Sequence, residues 1–286
     1  MALLQLMRPH QWIKNGFVFT GLVFGHGWQE PALVVTVLMA FVAFCLASSS
    51  VYVLNDLFDR EQDRLHPVKC RRPVASGAVP VGRAWLLAAG LALAALWLGW
   101  EAQPSVAGYV LAYLVLNVAY TLRLKQVVLL DIFCISAGFM LRILAGTDGV
   151  DIPPSNWLLF CGLWATLFLG FIKRRAELLA LQEGSADHRK VLGDYGPELL
   201  DKLIGITCTG MILSYSLYTM DPDVRRIHDT DSLLFTVPFV IYACFRYLFL
   251  LHQQSGGGDP SRELLQDRHI LVAGGLWLLI TLVLVT

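Results

Sequence analysis

The sequence predicts an all-α integral membrane protein with about nine transmembrane helices, and three observations predict it. First, the 286 residues are 56% hydrophobic and only 15% charged, with mean hydropathy +0.59, whereas a soluble domain carries about 25% charge. Second, apolar segments close to the ~20 residues needed to cross hydrocarbon recur along the whole chain. Third, the cations are partitioned: with a cytoplasmic N-terminus, eighteen of the 22 Lys and Arg residues fall on the cytoplasmic side, the orientation that the positive-inside rule favours. The same hydrophobicity excludes disorder. A formal net charge of +0 removes bulk attraction to nucleic acid.

In chain order the spans are expected at about 12–28, 32–54, 84–100, 105–121, 127–146, 156–172, 204–220, 232–251 and 269–286. The first is the least regular, with Lys14 and Asn15 near its start and Gly25, His26 and Gly27 near its end; the last, HILVAGGLWLLITLVLVT, carries no charge. Ahead of them, MALLQLMRPHQWIKNG puts Arg8 after a very short apolar stretch. Without a small-residue cleavage pattern it does not read as a signal peptide. The cytoplasmic set comprises Arg8, Lys14, Arg60, Arg64, Lys69, Arg71, Arg72, Arg83, Arg123 and Lys125, then Lys173, Arg174, Arg175, Arg189, Lys190, Lys202, Arg262 and Arg268. Arg225 and Arg226 fall opposite, and Arg142 and Arg246 inside spans. The two long polar loops, about 55–83 and 173–203, share the cytoplasmic side of what reads as one transmembrane domain over 1–286, so chemistry is expected on one face. Ser255–Gly258 reads as a flexible turn. The six cysteines form no CxxC pair and read as packing residues or free thiols.

The most informative stretch is VYVLNDLFDREQDRLHPVKCRRP, with Asn55, Asp56, Asp59 and Asp63 at the cytoplasmic end of the second span. On a continuing helix, at ~100° per residue, Asp59 lies about 300° and Asp63 about 340° from Asp56. Three carboxylates then share one face, with no lysine to pair them all. Magnesium takes hard oxygen ligands, commonly one or two carboxylates plus substrate phosphates, so the pattern points to a diphosphate held through Mg2+ by Asp56, Asp59 and Asp63. The competing reading is a solvated helix end, since Arg60, Glu61 and Arg64 are interleaved; a carboxylate cluster bordering a bilayer is, however, costly without a purpose. Downstream, Lys69, Arg71 and Arg72 precede Pro73 and offer phosphate-binding cations, or simply mark topology.

NDLFDREQD resembles the N-D-x-x-D-x-x-x-D signature of the UbiA-type intramembrane prenyltransferase superfamily, and Lys69 to Pro73 resembles its basic-x-x-Arg-Pro element. That resemblance implies helices bundled around a central cavity open to the membrane, a cytoplasmic-side active site and magnesium-dependent cleavage of a diphosphate. Members that prenylate aromatic rings carry a second D-x-x-x-D-type motif after the sixth span. Here FIKRRAELLALQ puts Lys173, Arg174 and Arg175 there, followed by Glu177. RPHQWIKN, HPVKCRRP, YTLRLKQVVLLD, GFMLRILAG and KRRAEL are similar to the polyprenyl-phosphate phosphoribosyltransferase branch. This similarity implies transfer of 5-phosphoribose from phosphoribosyl diphosphate to a decaprenyl-type polyprenyl phosphate, for cell-envelope polysaccharide precursors.

Under that resemblance Asp56 and Asp59, supported by Asp63 and Asn55, take the magnesium-diphosphate. Lys69 and Arg72 neutralise the leaving group, and Lys173 and Arg174 hold the 5-phosphate or the lipid phosphate, with Glu177 beside them. Cys70 and Arg71 depart from the branch pattern, which has Arg and an aromatic residue there. Asp131, about one turn inside the fifth span, must face the interior or a water-filled cavity. Lys125 either binds phosphate or snorkels, Tyr120 meets a ribose hydroxyl or joins the aromatic belt, and Lys14 is a further phosphate candidate. Arg142, ~20° around the helix from Asp131, also faces inward and reads as structural. Asp194 and Tyr195 could order the second loop. Homo-oligomerisation is left open, and the rival functions are an aromatic prenyltransferase and a membrane transporter.

Overall fold

The structure is a computed structural model that describes residues 2–182, 194–253 and 267–285. Arg189, Lys190, Arg262 and the Ser255–Gly258 turn lie outside the described residues. Among the described residues every regular element is helical. The α-helices are α1 (Ala2–Met7), α2 (Thr20–Phe24), α3 (Pro31–Phe58), α4 (Arg60–Leu65), α5 (Val81–Ala102) and α6 (Pro104–Leu122). They continue as α7 (Leu130–Ala145), α8 (Asn156–Gln182), α9 (Pro197–Met220), α10 (Pro222–His228), α11 (Val237–Gln253) and α12 (Arg268–Val285). Pro31, Pro104, Pro197 and Pro222 each stand at a helix start, where the missing N–H costs nothing and φ is already set.

Among the described residues, seven helical segments are long and apolar enough to cross a membrane: Pro31–Phe58, Val81–Ala102, Pro104–Leu122, Leu130–Val150, Asn156–Leu179, Pro197–Met220 and Ser232–Gln253. The expected last span is present as a shorter apolar helix, Arg268–Leu284. The expected first span, 12–28, is not one helix. A 3₁₀ stretch, Pro9–Phe19, leads into the short α2. It packs closely by its backbone: a Cβ on Gly146 would lie 1.7 Å from the Val18 carbonyl oxygen, and one on Gly21 would lie 2.0 Å from the Gly146 carbonyl oxygen. Only glycine permits that approach, and the segment is shaped to its neighbours rather than to helical propensity.

The chain forms two compact units, Met1–Lys125 with Ala137–Pro154, and Gln126–Ser136 with Ser155–Thr286; α7 contributes to both. In the first, α3 is central. Ala40, Ala43 and Ala47 on α3 and Ala84, Ala88 and Ala95 on α5 are buried, small side chains of the kind that let membrane helices approach closely. Three consecutive buried serines bond in three directions. Ser48 Oγ accepts from Asn15 Nδ2 at 3.3 Å, Ser49 Oγ donates to the Met7 carbonyl at 2.9 Å, and Ser50 Oγ donates to the Ala88 carbonyl at 2.8 Å. The second unit packs α8, α9 and α11 around Phe168, Phe171, Ile172, Leu200 and Tyr247, and Trp277 of α12 donates to the Tyr215 hydroxyl at 2.7 Å. Leu86, Leu93 and Trp97 on α5 and Leu279 and Val283 on α12 point outward and are more than half exposed. That is an apolar surface suited to contact with lipid.

Candidate active site

The acidic motif sits where α3 ends. Asp59 leaves helical geometry, with φ −87° and ψ 2°, and α4 resumes at Arg60. Helical bonding nevertheless runs through the junction, from Asp59 N–H to the Asn55 carbonyl at 2.9 Å and from Asp63 N–H to the Asp59 carbonyl at 2.8 Å. The uninterrupted helix face expected for the three carboxylates is therefore corrected to two carboxylates together and one apart. Asp56 and Asp63 are buried, at 1% and 4% exposure, and both accept from Arg72 Nη1, at 3.3 Å and 2.7 Å. Asp59 is more open and accepts from Lys125 Nζ at 2.9 Å.

The acids are also not short of cations, as the motif alone implied. Besides Arg72 and Lys125, Arg8 Nη2 donates to Asp56 Oδ1 at 2.5 Å, its guanidinium 5.2 Å from the Tyr52 ring centre. From sequence Arg8 reads only as a topology charge, with its place in RPHQWIKN the one further signal. Asn55 Oδ1 accepts from the Thr121 hydroxyl. Lys69 follows a turn in which His66 Nδ1 accepts the backbone N–H groups of Val68 and Lys69 at 3.0 Å and 3.1 Å. Arg72 then takes extended backbone, φ −61° and ψ 143°, as a residue before proline prefers, and its side chain turns back to the acids. Glu61 belongs to the solvated rim, where the hydrogen bond from Arg60 is the main influence holding its carboxyl below the usual range. Lys14 is exposed and Tyr120 half-buried.

A second cluster lies in the other unit. Asp131 is fully buried; it accepts from Arg174 Nε at 2.6 Å and from the Tyr195 hydroxyl at 2.8 Å. Arg174 also pairs with Glu177. The Tyr195 oxygen in turn accepts the Leu129 N–H at 2.7 Å, where Leu129 holds φ 69°, and burial, first of all, pushes the Tyr195 hydroxyl's pKa up. Arg174, expected to meet a phosphate, is thus held by two carboxylates, and Tyr195, which sequence gave little reason to choose, ties the cluster together. Lys173 beside it is exposed. Arg175 Nε donates to Asp201 at 2.5 Å. In the first unit, Arg142 donates to Asn15 Oδ1 at 2.7 Å, the Gly138 carbonyl at 2.7 Å and the Tyr113 hydroxyl at 3.0 Å, with three aromatic rings around it.

Among the described residues no three His, Cys, Asp or Glu side chains converge as a ready-made metal cage. Two carboxylates, Asp56 and Asp63, do converge on one cationic atom, Arg72 Nη1, and both offer hard oxygen ligands. Magnesium needs little more from protein when phosphates and water complete its shell, so these residues fit that ion.

Residues 16–189 match the UbiA prenyltransferase family. The chain belongs to this family. Similar proteins include the decaprenyl-phosphate phosphoribosyltransferase of Mycolicibacterium smegmatis, 34% identical over 97% of this chain and 90% of the relative. That of Corynebacterium glutamicum is 33% identical over 96% and 84%. Among solved structures, a UbiA homolog from Archaeoglobus fulgidus bound to DMAPP and Mg2+ matches 100% of this chain and 99% of that one, with TM-score 0.72 at 16% identity. The likeness shows the shared UbiA fold.

Proposed function

We propose that this UbiA family member transfers 5-phosphoribose from phosphoribosyl diphosphate to a decaprenyl-type polyprenyl phosphate, releasing diphosphate. One observation carries the reading: 32–34% identity, over nearly the full chain, to proteins named decaprenyl-phosphate phosphoribosyltransferase. The cationic KRRAEL, where aromatic-prenylating members have acids, supports it.

The roles follow from charge. Asp56, Asp59 and Asp63, with Asn55, would hold Mg2+, which supplies neutralisation of the departing diphosphate when bound. Lys69, Arg72 and Lys125 bind the diphosphate oxygens and offset the charge that grows as the C1–O bond breaks. Lys14 and the exposed Lys173 are cations for the 5-phosphate or the lipid phosphate, and Tyr120 is a ribose contact. Arg174 is a positioning residue, with Asp131, Glu177 and Tyr195 fixing the start of α7 against α8. An oxygen of the acceptor phosphate attacks C1 and no proton has to be removed first, since the nucleophile is already an anion; catalysis then lies in positioning and charge stabilisation. We take both units as one domain of the inner membrane, with the Pro9–Phe24 segment and α12 also membrane-embedded to complete nine spans, and with the N-terminus and site cytoplasmic. The positive-inside distribution supports that orientation.

The test incubates purified protein and Mg2+ with labelled phosphoribosyl diphosphate plus polyprenyl phosphate, and in parallel with polyprenyl diphosphate plus an aromatic acid. Label is expected in the lipid phase only with polyprenyl phosphate, and none after chelation. Prenylation of the aromatic, or no transfer in either arm, overturns the reading.

A further inference from the structure

We propose that Arg8 is a counter-ion which Asp56 exchanges for a divalent metal, and that this exchange makes the metal and the diphosphate bind as a coupled pair. The proposal rests on the metal-diphosphate reading above and adds to it a coupling between the two ligands and the residue that creates it.

The charges set the problem. Asp56 is paired with Arg8 and Arg72, Asp63 with Arg72, and Asp59 with Lys125, so each carboxylate already has a cation without a ligand. Asp56 Oδ1 holds both Arg8 at 2.5 Å and Arg72 at 3.3 Å and is buried from water. A metal ion arriving alone adds two charges and expels a guanidinium with no anion to receive it. A diphosphate arriving alone must take its cations from buried carboxylates, which would be left uncompensated, a strongly unfavourable outcome. When both arrive, the carboxylates pass to the metal and the guanidinium groups to the diphosphate, and every charge keeps a partner.

Arg8 is built for such an exchange. Its backbone is left-handed, φ 53° and ψ 59°, in a residue that precedes Pro9, where helical-type conformations are disfavoured. Strain of this kind persists only where the surroundings over-determine it. Here the Gln11 N–H donates to the Arg8 carbonyl at 2.9 Å, Trp12 Nε1 donates to Ser49 Oγ at 2.9 Å, and Arg142 fixes Asn15. The side chain is one-quarter exposed, and the Tyr52 ring beneath it can keep a guanidinium that has left the carboxylate. Backbone and platform stay fixed while the charged tip changes partner.

Mn2+ binding to the detergent-purified full chain, read by electron paramagnetic resonance with and without inorganic diphosphate, tests this without turnover. In the wild type, Mn2+ alone binds weakly and diphosphate strengthens it. In Arg8→Gln, Mn2+ alone binds about fivefold or more tightly than in the wild type, within the usual range of site-to-site coupling, and the gain from diphosphate shrinks accordingly. Arg8→Lys, which keeps the charge, stays near wild type. Arg8→Gly removes the charge and also relieves the left-handed backbone, so it keeps the test open if Arg8→Gln does not fold. Unchanged or weaker Mn2+ binding in both neutral variants, with diphosphate enhancement intact, overturns the role of Arg8 and leaves the proposed function standing. No Mn2+ binding to the wild type even with diphosphate overturns both.

Discussion

Asp59 stands at the junction of α3 and α4 with Lys125 as its partner, more open to solvent than the buried Asp56 and Asp63. Replacing it by Asn removes the charge but little volume. We expect Asp59→Asn to lower phosphoribosyl transfer by about a hundredfold or more, the scale on which loss of one charge-stabilising group acts, with thermal unfolding in detergent unchanged; full activity would take Asp59 out of the proposed metal site. Tyr195 gives the opposite pattern. Tyr195→Phe leaves the Leu129 N–H and one Asp131 oxygen without their partner, a loss of about 1–3 kcal/mol for a buried group. A lower unfolding midpoint is expected, and an unchanged midpoint would show that the hydroxyl carries no load. The acids of the proposed site stand out in the sequence by their type and spacing. Their partners do not: Arg8 lies 48 residues from Asp56, and Arg174 lies 43 from Asp131. A positive-inside cation and a site cation look alike in sequence until packing assigns the partner.

Helices α3, α5, α6, α8, α9 and α11 were legible as elements, because apolar length is what a bilayer demands of a spanning helix. Pro9–Phe24 was not, since composition records apolar character and is silent on backbone crossings such as that of Gly21 with Gly146. This crossing yields its own prediction. A methyl at 146 would overlap the Val18 carbonyl, so Gly146→Ala forces the backbones apart at about 1–3 kcal/mol, the usual range for overpacking. Its midpoint should fall, and amide exchange over Asn15–Leu22 should rise; unaltered exchange there would mean the crossing is not what holds the segment. The end of α3 shows the same limit on a smaller scale. Helical phase put Asp56 and Asp63 on one side, as observed, but could not foresee that Asp59 would leave the helix.

For the whole chain, the cation distribution predicts that Gln62 and Arg226, both exposed, lie on opposite sides of the membrane. With Cys70 replaced by Ser, Gln62→Cys should react with an impermeant maleimide only in inverted vesicles, and Arg226→Cys only in right-side-out ones. The reverse pattern would refute the orientation. The axial register of a helix against its neighbours is a separate matter. Lipid is as apolar as leucine, so burial does not penalise a helix that slides along its own axis; something polar must fix its register. Ser48, Ser49 and Ser50 do so for α3: successive side chains, ~100° apart around the helix, are tied to three different segments, and a slip of one residue would break all three bonds together. Asp56 lies two turns beyond Ser49, ~10 Å along the same rod. The serines therefore act as a ratchet stop, setting the axial register of α3 against Met7, Asn15 and Ala88 and with it the position of Asp56 relative to those neighbours.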